Sequence, residues 1–292
     1  MSDIIASPSV RKAALEKGID LERHAQALGR RTIAMEDLDA RPTKGAAPAD
    51  TSYWEVDHAQ YGPVTEEPMS RFAQVSARNL AAAQSLIPLV THHDRADVSR
   101  IESFRASLKD EARARGVKLT ALAFHVKALA RCLRDFPRFN ASLSADGATL
   151  ILKDYVHIGI AVDTAHGLAV PVIRDADRKG VWQIASEISD LAARAQARKL
   201  RPDEMGGASM TITNLGGLGG TAFTPIVNPP ELAILGITRT QTETVWNGDT
   251  PRPVPMLPLD LSYDHRVING ADAARFVTRL AALIADPRNM LI

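Results

Sequence analysis

Apolar residues fall at Phe72, Val75, Leu80 and Ala83, and again at Ile101, Phe104, Leu108 and Ala112. Both spacings predict amphipathic helices. From Thr120 to Asp135 the chain is apolar on most sides and halts before Pro137, which predicts a helix crossing the core. The pattern then changes. The segments VHIGIAVD (156–163) and LAVPVIRD (168–175) are rich in β-branched side chains around a turn at Gly167, and predict a hairpin. Helical spacing returns from Val181 to Lys199. SMTIT, LAILGIT and PMLPLDLSYD predict strands, and Ala271 to Ala285 a last amphipathic helix. This order predicts α/β (α+β) layers with a mixed sheet rather than a strictly alternating doubly wound fold.

The N-terminal segment is a smaller unit. Ser7 is a natural N-cap, Pro8 suits the first helical position and Gly18 a stop, so a short helix is expected between them. A second short helix is expected over Thr32, Ile33, Met35 and Leu38, after a connection containing Gly29, Arg30 and Arg31. Residues 41–52 have no apolar period and are rich in Pro, Ala and small polar residues, as a linker is. Tyr53, Trp54 and Tyr61 are too aromatic for free linker, so residues 53–64 are expected to lie as an arm on the main domain or a neighbouring subunit. The organisation is therefore a helical module over 1–40, a linker over 41–52 and a large domain over 53–292.

Composition narrows the classes. The 292 residues carry 35 basic and 34 acidic side chains, a net charge of +1, which argues against nonspecific nucleic-acid binding. One cysteine, Cys132, excludes an internal disulfide and any multi-cysteine metal site. MSDIIASPSVRK lacks the apolar stretch of a signal peptide, and no apolar run approaches the roughly 20 residues a bilayer needs. The expectation is a cytoplasmic chain with no membrane and no nucleic-acid partner. His92, His93, His125 and His157 lack metal-ligand spacing and read as structural, so no metal is expected.

Two segments carry candidate chemistry. In SYDHRVINGADAARF, His265 follows a strand, where loops place reactive groups, and an unperturbed imidazole titrates near 6.5 and accepts protons at neutral pH. The alternative is a structural histidine held between Asp264 and Arg266. In MTITNLGGLGGTAFTPIVNPPE, a strand ends in Thr213 and Asn214 and enters a loop with Gly216, Gly217, Gly219 and Gly220. Such glycines let backbone approach a ligand or simply make a tight turn. Neither a phosphate loop nor a dinucleotide fingerprint is present.

YDHRVING and TITNLGGLGGTAFTPIVNPPELAILGI, with IPLVTHHDRADVSRIESFR and YVHIGIAVDTAHGLAVPVIRDADRKG upstream, resemble the catalytic domain of the dihydrolipoamide acyltransferases that form the cores of 2-oxo acid dehydrogenase complexes. The resemblance runs from about residue 53 to the C-terminus and is closest to the acetyltransferases of pyruvate dehydrogenase complexes. It implies a fold like that of chloramphenicol acetyltransferase, with an active-site channel between the subunits of a trimer. ASPSVRKAALEKGIDL followed by GRRTIAMEDLDA is similar to the peripheral subunit-binding domain of the same enzymes.

The resemblance implies acyl transfer, of acetyl by preference, between dihydrolipoamide and coenzyme A. It makes His265 the general base and Thr213 the hydrogen-bond donor to the tetrahedral oxyanion, the two coming from different subunits. Asn269 stands where the usual motif has Asp, and is expected to position the His265 loop or polarise the site, with activity retained. Arg105 and Lys127 are candidates for the phosphates of coenzyme A. Arg11, Lys12, Arg30 and Arg31 are candidates for docking the decarboxylase or dihydrolipoamide dehydrogenase components. Asn289, Met290, Leu291 and Ile292 resemble an anchor that joins homotrimers into a cube of 24 chains. No lysine has the Asp-Lys-Ala context of a lipoyl hairpin, so a lipoyl domain supplied in trans is expected. The competing readings are a free-standing coenzyme A acyltransferase on a small acceptor and a non-catalytic core or adaptor subunit.

Overall fold

The computed structural model describes residues 4–28, 32–38 and 54–290. The chain divides into two compact units, Met1–Pro68 and Met69–Ile292.

In the first unit, β1 (Ile5–Ala6), α1 (Pro8–Glu16), α2 (Leu21–Leu28) and β2 (Thr32–Ile33) are followed by a 3-10 turn at Met35–Leu38. Ser7 caps α1 by accepting from Val10 N, Pro8 is its first residue, and Gly18 takes a left-handed φ of 65° just past its end. The second helix lies earlier than the periodicity indicates. Asp20 Oδ1 accepts from Glu22 N at 2.9 Å and starts α2, whereas Thr32 and Ile33 pair in parallel with Ile5 and Ala6. Val10, Ala14, Ala25, Ile33 and Leu38 form a small core. His24 Nε2 donates to Asp37 O at 2.7 Å beside it. Residues 54–70 are exposed throughout, Trp54 and Tyr61 included.

The second unit runs α3 (Arg71–Leu86), β3 (Leu89–Asp97), α4 (Ser99–Ser107), α5 (Lys109–Ala114), α6 (Ala121–Asp135), β4 (Ala141–Leu143), β5 (Leu150–Leu152), β6 (Ile158–Ile160), β7 (Val162–Thr164), β8 (Gly167–Ala169), β9 (Val172–Ile173), α7 (Val181–Gln196), β10 (Met210–Asn214), β11 (Ala233–Ile237), β12 (Gln241–Asn247), β13 (Thr250–Asp264) and α8 (Gly270–Ala285). The helix expected across 101–112 breaks at Leu108, whose φ and ψ of −89° and 4° separate α4 from α5. The hairpin around Gly167 forms in two pieces, β6 with β9 and β7 with β8, all antiparallel.

Seven strands form one mixed sheet, as expected. β10 runs parallel to β6 and β11; β13 runs antiparallel to β11, β12 and β3. Alternation along β13 sets its two faces. Leu257, Leu259, Leu261 and Tyr263 join the main core, whereas Asp260, Ser262 and Asp264 are buried polar residues on the other face. The apolar face packs on α6 and α8: Phe124, Leu129, Leu133, Phe276 and Leu280 are buried in the same core. On the polar face, Thr91 Oγ1 and Ser262 Oγ lie 2.7 Å apart, and Ala83 of α3 and Ile87 just past its end pack with Val227 and Ile234. Met290 is buried in a 3-10 turn after α8; Leu291 and Ile292 of the expected anchor lie outside the described residues.

Candidate active site

β13 ends at Asp264 and the chain turns into α8. Asp264 is buried, and Arg266 closes on it through Nη2–Oδ2 at 2.6 Å, Nε–Oδ1 at 3.0 Å and its backbone N–H at 3.0 Å. That pairing leaves His265 outside. Its backbone N–H donates to Pro88 O at 3.1 Å, its ring lies 5.9 Å from that of Tyr263, and its exposed imidazole has no hydrogen-bond partner among the described residues. The alternative of a histidine held between Asp264 and Arg266 is therefore not what the fold contains. The turn itself is fixed at both ends, because Asn269 Oδ1 caps α8 by accepting from Asp272 N at 2.9 Å. Asn and Asp cap about equally well, so this geometry suits either.

Thr213 is half-buried near the end of β10. It faces a cavity of roughly 500 Å³ between α3 and the sheet, lined also by Val75, Asn79, Thr211, Phe223 and Ile234. The structure does not bring Thr213 and His265 together within one chain. Thr213 is level with Gly236, and Gly236 with Asp260. His265 lies five residues beyond Asp260, about 17 Å along the strand at the usual rise, and two strands across. β10 and β13 run in opposite directions, so their C-terminal ends sit at opposite ends of the strands.

The glycine loop behaves as a tight turn. A Cβ at Gly216 would lie 3.2 Å from Thr238 O, and Gly219 and Gly220 take φ of 136° and 84°. Arg105 pairs with Glu102 at 2.6 Å, and Lys127 Nζ donates to Asp177 O and Lys179 O at 2.7 and 2.8 Å. Burial lowers the Lys127 pKa. Each would give up an existing partner to bind a phosphate. Arg11 donates to Ile4 O and Ala6 O, and Lys12 stands 4.0 Å from Glu16. Arg30 and Arg31 lie outside the described residues. Burial pushes the Cys132 thiol up, away from thiolate chemistry, and holds His125 neutral by pulling it down to about 4. Among the described residues no three His, Cys, Asp or Glu side chains cluster to hold a metal, and no helix is long and apolar enough to cross a membrane.

Sequence reasoning missed Glu231. It precedes β11, is buried, and its Oε1 accepts from Thr211 Oγ1 at 2.9 Å while Oε2 has no partner among the described residues. Burial pushes its carboxyl up to about 7, against the hydrogen bonds from Thr211 and Asn228 and the charge of Lys153. The folded chain thus keeps a proton that the unfolded chain loses near 4.5. Native protein binds more protons across that window, so stability falls as pH rises from 4.5 to 7, by up to about 1.4 kcal/mol per unit, and levels off above. Glu231→Gln keeps the acceptor and cannot ionise. Urea unfolding at fixed protein concentration across this pH range should show that the variant has lost this component of the slope.

The site thus belongs to an α/β domain with a mixed sheet whose candidate histidine and hydroxyl stand at opposite strand ends. The chain belongs to the 2-oxoacid dehydrogenases acyltransferase (catalytic domain) family, which it matches over residues 61–292. It is 46% identical over 299 residues to the dihydrolipoyllysine-residue acetyltransferase component of pyruvate dehydrogenase complex of Pseudomonas aeruginosa, covering 98% of this chain and 55% of that protein. The chain therefore spans about half the length of such curated relatives. Among solved structures it is similar to the Azotobacter vinelandii dihydrolipoamide acetyltransferase, solved to investigate the roles of a serine, a histidine and an asparagine in its catalytic mechanism. The TM-score is 0.80 at 51% identity, covering 81% of this chain and 98% of that one. The cubic core of a pyruvate dehydrogenase multienzyme complex matches with the same values.

Proposed function

We propose that this chain transfers an acyl group, acetyl by preference, between dihydrolipoamide and coenzyme A, and forms the core of a 2-oxo acid dehydrogenase complex. One observation carries this reading. The serine, histidine and asparagine studied in the Azotobacter enzyme are separated by the same two intervals as Thr213, His265 and Asn269 here. Asn269, a departure from the usual Asp, is thus matched in that relative by an asparagine.

In the proposed reaction His265 accepts the proton of the coenzyme A thiol, and the thiolate attacks the thioester carbonyl of acyl-dihydrolipoamide. A carbon–sulfur bond forms and the carbonyl electrons move onto oxygen. Thr213 Oγ1 of a neighbouring subunit donates to that oxyanion. Collapse breaks the bond to the dihydrolipoamide sulfur, which takes the proton back from His265. The distance between Thr213 and His265 in one chain supports a site completed by a second copy, and hence a homotrimer. Likeness to the cubic core supports further assembly to 24 chains.

Residues 1–40 are read as the module that docks the decarboxylase or dihydrolipoamide dehydrogenase, 41–52 as linker and 53–292 as core, with the lipoyl group arriving as substrate from another domain or chain. Arg105 and Lys127 are retained as the groups for the coenzyme A phosphates. The test is turnover of acetyl-coenzyme A with free dihydrolipoamide by the assembled protein, read as thioester formation. No transfer by a correctly assembled oligomer overturns the enzymatic reading in favour of a non-catalytic core subunit.

A further inference from the structure

One transverse row crosses four neighbouring strands. Thr213 on β10 is level with Gly236 on β11, Gly236 with Asp260 on β13, and Asp260 with His93 on β3. Residues level across adjacent strands project to one face. Thr213 and Asp260 therefore share a face, two strand spacings or about 9.6 Å apart. Gly236 leaves the gap between them open, and the Phe223 ring fills it. A Cβ at Gly236 would lie 2.8 Å from both Cε1 and Cζ of Phe223 and 3.1 Å from Asp260 Cβ. Phe223 also lines the cavity that Thr213 faces.

The backbone of Phe223 is pinned from the other side. Asp260 is 1% exposed, and among the described residues each of its oxygens has one partner. Oδ1 accepts from His93 Nδ1 at 2.6 Å, and Oδ2 accepts from Phe223 N at 3.2 Å. A buried carboxylate is tolerated when both oxygens are satisfied, and a charge-assisted bond fixes its rotamer. The rest of the segment from Gly219 to Asn228 has no regular secondary structure. One further bond, from Thr238 Oγ1 to Thr221 O at 3.2 Å, holds its first part. His93 is half-exposed and rims a polar cleft on the outer side with Arg95, Thr221, Gln241 and Glu243. The pair thus stands between solvent and the wall of the Thr213 cavity.

We propose that His93 and Asp260 form a latch that holds Phe223 as the end wall of the acyl pocket beside Thr213, making Phe223 the residue that limits acyl chain length. The inference rests on the acyltransferase reading. Phe223 meets the acyl group; His93 and Asp260 are positioning residues that act through it. With the latch closed the ring leaves room for a short acyl group, and a longer one has to displace it. Discrimination by one or two methylenes in such a pocket amounts to about 10- to 200-fold in kcat/KM.

The experiment compares acetyl-, propionyl- and butyryl-coenzyme A with free dihydrolipoamide in the assembled wild type and in Phe223→Ala, His93→Ala, Asp260→Asn and the double variant His93→Ala/Asp260→Ser. Amide hydrogen exchange over residues 221–226 is measured in parallel. The double variant removes the charge together with its partner, so it folds even where a single change leaves Asp260 half-satisfied. We expect the butyryl-to-acetyl ratio of kcat/KM to rise about tenfold in Phe223→Ala and in the latch variants. Asp260→Asn, which keeps one acceptor, falls between. Exchange at Phe223 should quicken in the latch variants while β10 and β11 stay protected. Unchanged ratios overturn the specificity role, and unchanged exchange overturns the latch. Absence of transfer by wild type removes the acyltransferase reading and with it the specificity role, while the exchange data still decide whether the latch exists.

Discussion

Replacing His265 by alanine is expected to lower acyl transfer by about 100- to 10,000-fold, the range that positioned proton transfer contributes, without unfolding the protein. The imidazole is exposed and has no side-chain hydrogen bond among the described residues, so its removal is expected to change stability by no more than about 0.5 kcal/mol. The buried Asp264–Arg266 pair that shapes the turn stays intact. The expected result is an inactive enzyme with unchanged size and melting behaviour. Mixing makes the test sharper. If each site takes its histidine from one chain and its hydroxyl from the next, co-assembling equal amounts of His265→Ala and Thr213→Val chains restores function where an intact histidine meets an intact hydroxyl. Random trimers contain such interfaces about one time in four, so about a quarter of wild-type turnover returns. Sites built within single chains would leave the mixture as inactive as its components.

Thr213→Val is the second large expected effect. Valine keeps the branched shape of threonine at a half-buried strand position and removes only the hydroxyl. Loss of one oxyanion donor costs about 3 kcal/mol of transition-state stabilisation, or 100- to 1,000-fold in kcat. In the proposed mechanism the donor meets the charge that develops on oxygen in the transition state, so KM should move little while kcat falls. Thr213→Ser retains the donor and should keep most of the turnover. Steady-state kinetics with acetyl-coenzyme A distinguish the cases, and a rise in KM at constant kcat would instead make Thr213 a binding contact.

These effects converge on residues that single-chain geometry keeps apart. If the activity needs copies in contact, as proposed, the assembly is part of the active site rather than a container for it. The likeness to a cubic core accords with that economy. Catalysis should then follow the oligomer's dissociation curve on dilution.

Much was legible along the sequence because it depends on neighbours. Ser7, Pro8 and Gly18 set the ends of α1 within one or two residues, since caps and φ preferences act within a turn. The apolar run of α6 and the leucines of β13 declared which faces enter the core through periods of 3.6 and 2. The DHRVING segment placed His265 after a strand. The sequence by itself thus determined the strongest helices and the mixed layers, and its family resemblance named the candidate trio of Thr213, His265 and Asn269.

Tertiary structure decided the rest. β3 and β12 have mixed faces with no clean alternation of buried and exposed positions, and local patterning passed them over. The break at Leu108 and the pairing of Thr32 and Ile33 with β1 likewise depend on what lies alongside. Glu231 looks like an ordinary charged residue after two prolines until burial beside Thr211 raises its pKa. His93 read as structural, yet it faces Asp260 across 167 positions of chain, and both are level with Gly236 and Thr213. A local period states which face a residue takes but not its partner on the next strand. Register chooses that partner, and register is settled only when the whole sheet assembles around its core.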